Sequence, residues 1–403
     1  MTISGARHLA NSGSFDERVA RVVDGAAALP AFARRLEQAG LAAAELRTAE
    51  GLSALPIQTK DDLLEAQRQD PPFGGMLAAD ADVTRVFQSP GPLYEPQLAG
   101  PDPWRWAPSL KAAGFSPEDT VLNCFGYHLS PAGAMFDEGC RALGARVVPG
   151  GIGSGELQAR AISDLPITGY TGLPSYLKAL IGQFESLGLD RRTWTIEHAV
   201  VTAEPLPDTL RHELNEYVPQ VLMAYGTAET GLLGYEESPG TGLVVPEDVL
   251  VEVCDLTTGE PITEGEGQIV ITLFRPEYPL IRFGTGDLSA WIDGPGDRPR
   301  LAGILGRTGQ AVKVRGMFLH PTQASRSVGS VAGVSAFRLV VDRAEHRDSL
   351  RCDVVVESGH PADAVLGEVR ERIRQGLRFN SEVVQVDALP SGADVIVDNR
   401  DWS

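Results

Sequence analysis

Between residues 15 and 70, apolar positions recur at helical spacing among Ala, Leu, Arg and Glu, as in FARRLEQAGL and DDLLEAQRQ. This spacing predicts surface helices, with a cap at Thr59-Lys60-Asp61. From about 83 to 235 the pattern becomes one of short apolar runs separated by helical stretches. The runs TVLNCF, ARVVPGG, ITGYTG, HAVVTAE and VLMAYGT predict strands, with a helix through Met135 to Leu143 between the first two. Strands alternating with helices imply a parallel sheet covered by helices. Past residue 240, VLVEVCDL, the turn residues TTGEP and GQIVITLF predict antiparallel strands joined by tight turns. After 308 the runs AFRLVVDR and RCDVVVES precede a helix from Ala362 to Leu377, apolar at 362, 365, 366, 369, 373 and 377, and then EVVQVDAL. The order β-β-α-β suits a small α+β unit. The expected fold class is therefore α/β: a large N-terminal domain, residues 1–307, with parallel sheets and a β-rich subdomain, followed by a smaller C-terminal domain, 308–403.

Composition narrows the partners. The chain has 403 residues, 43% hydrophobic and 22% charged, the balance of a globular protein with a sizeable core. Against 35 Lys and Arg stand 54 Asp and Glu, a formal charge of −19. Such a surface repels phosphate backbones and anionic lipid, so neither nucleic acid nor membrane is an expected partner. A phosphate-bearing ligand has to be held by a local arrangement of amides, hydroxyls, a metal or a few cations. No run of about 18 apolar residues is present, and MTISGARHLANSG lacks the apolar core of a signal peptide. The expected location is the cytoplasm. Cys124, Cys140, Cys254 and Cys352 are scattered without a C-x-x-C pair and read as reduced core thiols.

Chemistry concentrates in Met223-Ala224-Tyr225-Gly226-Thr227-Ala228-Glu229-Thr230-Gly231, which follows an apolar run and belongs at the C-terminal edge of a strand, where open α/β sheets bind ligands. A hydroxyl and a carboxylate two residues apart offer a donor to phosphate and a ligand to Mg²⁺, and an ordinary strand-to-turn junction has the same look. The glycine run from Gly150 to Gly155 is not G-x-G-x-x-G and has no fingerprint acid, so a dinucleotide site is not expected.

The segment Tyr225-Gly226-Thr227-Ala228-Glu229 resembles the Y-G-x-x-E motif of adenylate-forming enzymes, and Arg282-Phe-Gly-Thr-Gly-Asp287-Leu resembles their Y-R-T-G-D-L. Gly306-Arg307, followed by Lys313, Arg315-Gly316, Pro321 and Gln323, resembles the phenylacetate-CoA ligase pattern G-R-x-D-D-x-x-x-x-R-G-x-x-x-x-P-x-Q. PAFARRLEQAGL, GLSALPIQTKDDL and NCFGYHLSPAGAMFDEGCRALGARVVPGG extend the similarity over nearly the whole chain.

The resemblance implies a mobile C-terminal lid hinged near Arg307, and it implies ATP or AMP, Mg²⁺ and coenzyme A as cofactors. Thr227 would contact the α-phosphate and Glu229 the Mg²⁺, Asp287 would hold the ribose hydroxyls, and Arg307 would reach ribose or phosphate. Tyr225 and Gly226 belong to the same nucleotide site. Ala203-Glu204 resembles the turn beside the adenine, with Thr202 where a glycine is usual. Phe125, Tyr127 and His128 would form the acyl slot, His128 contacting a carboxylate or thioester oxygen; core aromatics with a satisfied histidine fit the same residues. Lys313, Arg315 and Gly316 fall where the lid meets coenzyme A.

Two departures concern ATP. The family's S-S-G-T-T-G-x-P phosphate loop is here Phe87-Gln88-Ser89-Pro90-Gly91-Pro92-Leu93-Tyr94-Glu95-Pro96, in which Pro90 and Pro92 remove amide donors and Glu95 is expected to add a negative charge. The adenylation lysine of the C-terminal segment is absent, since the last lysine in the chain is Lys313; Gly309-Gln310 also replace a pair of acids. The expected function is an aryl-acid CoA ligase-like enzyme working through an acyl-adenylate with impaired ATP handling. An ATP-independent acyltransferase, moving an acyl group between CoA and an acyl carrier protein or an amine, and a non-catalytic nucleotide or acyl-CoA binding protein are the alternatives. The partner is a small aryl carboxylic acid or its CoA thioester.

Overall fold

The computed structural model describes residues 15–400 except 90, 309–311, 316, 320, 345–346 and 391–393. The chain divides into two compact units, Met1–Thr308 and Gly309–Ser403.

The larger unit is organised by one sheet of twelve described strands. Its first half is parallel, in the spatial order Arg146–Val148, Thr120–Asn123, Gly169–Gly172, His198–Val201 and Gln220–Thr227. Helices Ala132–Ala142, Gly155–Asp164, Pro174–Ser186 and Asp208–Asn215 connect these strands. The sheet then continues without a break through antiparallel strands Gly231–Tyr235, Leu243–Val244, Arg300–Leu301, Phe283–Ile292, Glu266–Leu273 and Val249–Cys254. The β-rich part thus extends the same sheet.

The change of sense happens on one strand. Gln220 to Met223 pair parallel with His198–Val201, whereas Ala224 to Thr227 pair antiparallel with Gly231–Tyr235. The turn Ala228 to Thr230 is therefore where the two halves meet. Glycine is required on both sides of it: a Cβ on Gly226 would lie 2.3 Å from the Gly231 carbonyl oxygen, and Gly231, at φ +73°, presses against the Trp104 backbone. Trp104 and Trp106 belong to the apolar core beneath, with Phe125 and Phe136.

The N-terminal helices are bolted to the antiparallel half by two guanidiniums, those of the buried Arg282 and the half-buried Arg35. Arg282 donates to the carbonyls of Ser53, Leu55 and Gly259. Arg35 donates to Ile281 and Pro56, and burial, its largest influence, pushes its pKa down to about 10. The arginine of the RFGTGDL motif is thus a tie between segments.

The smaller unit has a four-stranded sheet ordered Glu382–Gln385, Arg347–Val356, Val334–Ala344, Ile396–Asp398. The central hairpin is antiparallel and both edge strands join in parallel. The expected β-β-α-β core is present. Its helix is α-helical over Ala362–Arg372 and widens into a π-turn over Ile373–Leu377, which buries both Ile373 and Leu377. Helix Pro321–Val328, the hairpin of Val312–Val314 with Met317–Leu319, and strand Ile396–Asp398 complete the unit. Among the described residues no helix is long and apolar enough to cross a membrane.

Candidate functional site

The motifs that resemble those of adenylate-forming enzymes converge at the junction strand. Tyr225, at its buried end, donates its hydroxyl to Asp287 Oδ2 at 2.8 Å. Arg307 Nε donates to Asp287 Oδ1 at 2.7 Å, from a two-residue strand that pairs Arg307 directly opposite Asp287. Residues 62 and 20 positions from Asp287 thus orient one carboxylate, held further by its own amide on Thr285 Oγ1. Burial, followed by the Asp287 charge, pushes the Tyr225 phenol well above its usual range, so it stays a donor.

Thr227 ends the strand, and its hydroxyl lies 3.0 Å from that of Thr230 while accepting from the Thr230 amide. Glu229 is buried in the turn, and both its oxygens lie 3.1 Å from Lys60 Nζ. Burial alone would raise its pKa. Lys60, the Thr227 hydroxyl and the backbone outweigh that and hold the carboxyl below the usual range.

Lys60 escaped the sequence reading as a site residue. It opens helix Lys60–Gln69, whose first turn is closed by a capping box between Thr59 and Asp62. A cation at a helix N-terminus meets the wrong end of the dipole, and the Glu229 carboxylate compensates it. The capping box is visible in the sequence; the partner 169 residues away is not.

A resident Mg²⁺ fits this donor set poorly. Glu229 is the one carboxylate of the turn, and the Lys60 ammonium already neutralises it. Among the described residues no group of three His, Cys, Asp or Glu converges as a metal site.

The phosphate-loop segment forms a hairpin of Val83–Gln88 with Tyr94–Leu98. The Ser89 amide donates to the Leu93 carbonyl, and Gln67 grips both the amide and the carbonyl of Tyr94. Pro90 lies outside the described residues. Glu95 differs from expectation. It is 2% exposed, its Oε1 is buried without a hydrogen-bond partner, and burial, then the Glu229 charge, drive its pKa well up. Burial therefore disfavours the charged form of this carboxyl.

Beside the parallel strands, Ala203 adopts φ +72°, and Glu204 accepts from the hydroxyl and amide of Ser175. In the acyl segment, Phe125 is buried and stacks on Phe136 at 4.6 Å. The Tyr127 hydroxyl accepts from Asn123 at 2.8 Å and donates to Asp137 at 3.4 Å, and burial raises the pKa values of both Tyr127 and Asp137. His128 is exposed. Phe125 therefore points into the core, while Tyr127 and His128 are the residues of this trio with access to solvent.

In the smaller unit, Arg315 sits at φ +49° and bonds Asp348 through its amide and Nε. Lys313 lies on strand Val312–Val314, but its side chain and Gly316 lie outside the described residues.

No protein-family model matches the chain. Curated relatives do. It is 30% identical to a phenylacetate-coenzyme A ligase of Thermus thermophilus, over 90% of this chain and 88% of the relative. The chain belongs to the phenylacetate-CoA ligase family. The Escherichia coli phenylacetate-coenzyme A ligase is 27% identical over 89% of this family member and 86% of its own length. Among solved structures, a 2-hydroxyisobutyryl-CoA ligase in complex with 2-HIB-AMP and CoA superposes with a TM-score of 0.88 at 22% identity, covering 98% of this chain and 90% of the other. The shared fold is that of the adenylate-forming superfamily.

Proposed function

We propose that this family member is an aryl-acid CoA ligase-like enzyme that makes an acyl thioester through an acyl-adenylate, with a slow adenylation step. The observation that carries the reading is the Asp287 carboxylate, held between Tyr225 and Arg307 at the edge of the sheet junction. A carboxylate whose lone pairs are oriented from two sides is prepared to accept from the two vicinal hydroxyls of a ribose. Thr227 donates to the α-phosphate one turn away. Mg²⁺ would enter only with ATP, as part of the substrate, and would shield its phosphate charge; Glu229 is the carboxylate that would hold it, and Lys60, now paired with Glu229, is the cation beside it. Ala203 and Glu204 flank the base.

In the first half-reaction the acid carboxylate attacks the α-phosphorus and pyrophosphate leaves. In the second, the CoA thiolate attacks the acyl carbonyl and AMP leaves. Tyr127 and His128 face the acyl group, with His128 contacting its oxygen. Lys313, Arg315 and Gly316 of a mobile C-terminal domain serve the thiol substrate. The missing lysine withdraws a charge aimed at the first transition state, a loss on the order of 10² to 10³ in rate.

Both sequence departures fall on adenylation and neither on thioester chemistry, which favours one second reading: an ATP-independent acyltransferase between CoA and a carrier protein or amine. Pyrophosphate exchange over a panel of aryl acids, beside acyl exchange between thioesters without ATP, separates the two. The ligase reading expects slow exchange that rises when lysine is restored by Ala393→Lys, a position outside the described residues. Absent exchange in both proteins, beside brisk ATP-free thioester exchange, sinks it in favour of the transferase.

A further inference from the structure

Four guanidiniums gather around one cavity of about 360 Å³ that lies outside the nucleotide cluster. Arg18 and Arg21 come from helix Asp16–Ala26, Arg105 from the segment before helix Ala107–Ala112, and Arg275 from the end of strand Glu266–Leu273. Among the described residues Asp248 is the only carboxylate in the lining, so four cations face one anion in a chain whose formal charge is −19.

Three of the four are differently engaged. Arg18 donates to the Glu247 carbonyl at 2.7 Å and lies over the Phe274 ring. Arg105 places Nη2 on the carbonyls of Thr230 and Leu232, at 2.7 and 3.2 Å, and approaches Asp248 at 3.4 Å through Nε, which has no hydrogen-bond partner. Arg21 is exposed at the rim.

Arg275 is the anomaly. Its Nε and Nη2 are buried and have no hydrogen-bond partner among the described residues. An unpaired buried guanidinium is costly, and a second one beside it makes matters worse. Burial first and Arg105 second push the Arg275 pKa down to about 9. Glu95 and Asp248 oppose that shift without cancelling it. A buried Nε–Nη2 edge left unpaired beside a second cation has the donor geometry that bidentate phosphate recognition uses.

We propose that this cavity binds the phosphate dianion of a phosphorylated ligand, with Arg275 and Arg105 as the inner donors and Arg18 and Arg21 closing the rim. None of Tyr225, Asp287 or Arg307 lines it, so the cavity is separate from those residues, while the source of its phosphate rests on the proposed function. Arg105 also holds the carbonyl of Thr230, so occupancy is felt one residue from Glu229. The phosphate has two chemical sources in the proposed reaction: the phosphate monoester of coenzyme A and the inorganic pyrophosphate leaving group.

The test uses the full chain with inorganic phosphate as the probe, titrated at constant ionic strength against chloride and followed by melting temperature and calorimetry. Saturable binding is expected, weakened about tenfold or more by Arg275→Gln, which removes a charge-assisted fork. Arg21→Glu, at an exposed rim position where folding is not at stake, should weaken phosphate to a similar degree and leave AMP affinity unchanged. A melting response that chloride reproduces, or phosphate binding that survives Arg21→Glu and Arg275→Gln unaltered, overturns the proposal. Competition by coenzyme A but not 3′-dephospho-coenzyme A assigns the site to the monoester. Competition by pyrophosphate but not coenzyme A assigns it to the leaving group, and competition by neither overturns it.

Discussion

Asp287 accepts from Tyr225 and Arg307 at once, so its removal does two things. Asp287→Ala should weaken AMP binding by about 1.5–3 kcal/mol, the worth of hydrogen bonds to a charged group. It should also lower the melting temperature, because the buried Tyr225 hydroxyl loses its acceptor. Calorimetry with AMP, beside a melting curve, reads both, and unchanged AMP affinity would remove Asp287 from the site. A second residue carries a pH dependence. Glu252 is 3% exposed, and its approach to Arg282 at 3.5 Å makes no hydrogen bond. Burial raises its pKa to about 7, with Arg282 opposing and Glu260 adding to the rise. An unfolded glutamate ionises near 4.5, so between that pH and about 7 the folded chain keeps a proton the unfolded chain has lost. Stability therefore falls as pH rises through this window and is level above it, by a total on the order of 3 kcal/mol. Glu252→Gln should melt higher than the wild type at pH 8 and converge with it at pH 5; parallel curves would show that Glu252 does not titrate there.

The element that decides the site is the junction strand Gln220–Thr227, and a buried ion pair anchors it. Arg211, on helix Asp208–Asn215, forms two bonds with Glu236 at 2.9 and 2.8 Å and also donates to the Val221 carbonyl. Glu236 in turn accepts from the Met223 amide. Glu236→Ala leaves a buried guanidinium without its counter-charge and the Met223 amide without this acceptor, and should cost about 3–5 kcal/mol in chemical denaturation. Arg211→Met with Glu236→Leu should restore much of that loss, since an apolar pair carries no desolvation penalty; a single variant as stable as wild type would mean that water reaches the pair. The parallel strands around this element are legible in the sequence because each is a compact apolar run set between helical stretches. Strands such as Gly306–Arg307 and Leu243–Val244 are not, because two residues carry no period. The π-turn at Ile373–Leu377 is likewise hidden, since apolar spacing of four suits an ordinary helix equally well.

For the whole molecule, every residue of the Tyr225, Asp287 and Arg307 cluster lies in the unit that ends at Thr308. The smaller unit has its own apolar core, built around Leu339, Val341, Cys352 and Val369. A chain cut after Thr308 should therefore fold and bind AMP with nearly the affinity of the full protein, yet form no thioester. Calorimetry and a thioester assay on the truncated chain test this. An AMP affinity lowered as far as that of Asp287→Ala would mean that residues beyond 308 complete the nucleotide site.

The sequence by itself determined the family, the α/β class and the motif residues, because apolar periodicity and short motifs are local and survive a reading along one dimension. It could not reveal that Lys60 neutralises Glu229 across 169 residues, or that Arg282 ties segments together while Asp287, five residues later, meets Tyr225 and Arg307. Nor could it reveal that Phe125 stacks in the core. Glu95 makes the distinction clearest. Its carboxyl is a charge in the sequence, and in the fold burial and the field of Glu229 disfavour that charge, because both depend on distances in space. Only the tertiary structure decides those distances, and with them which arginines of an acidic chain are left facing an open cavity.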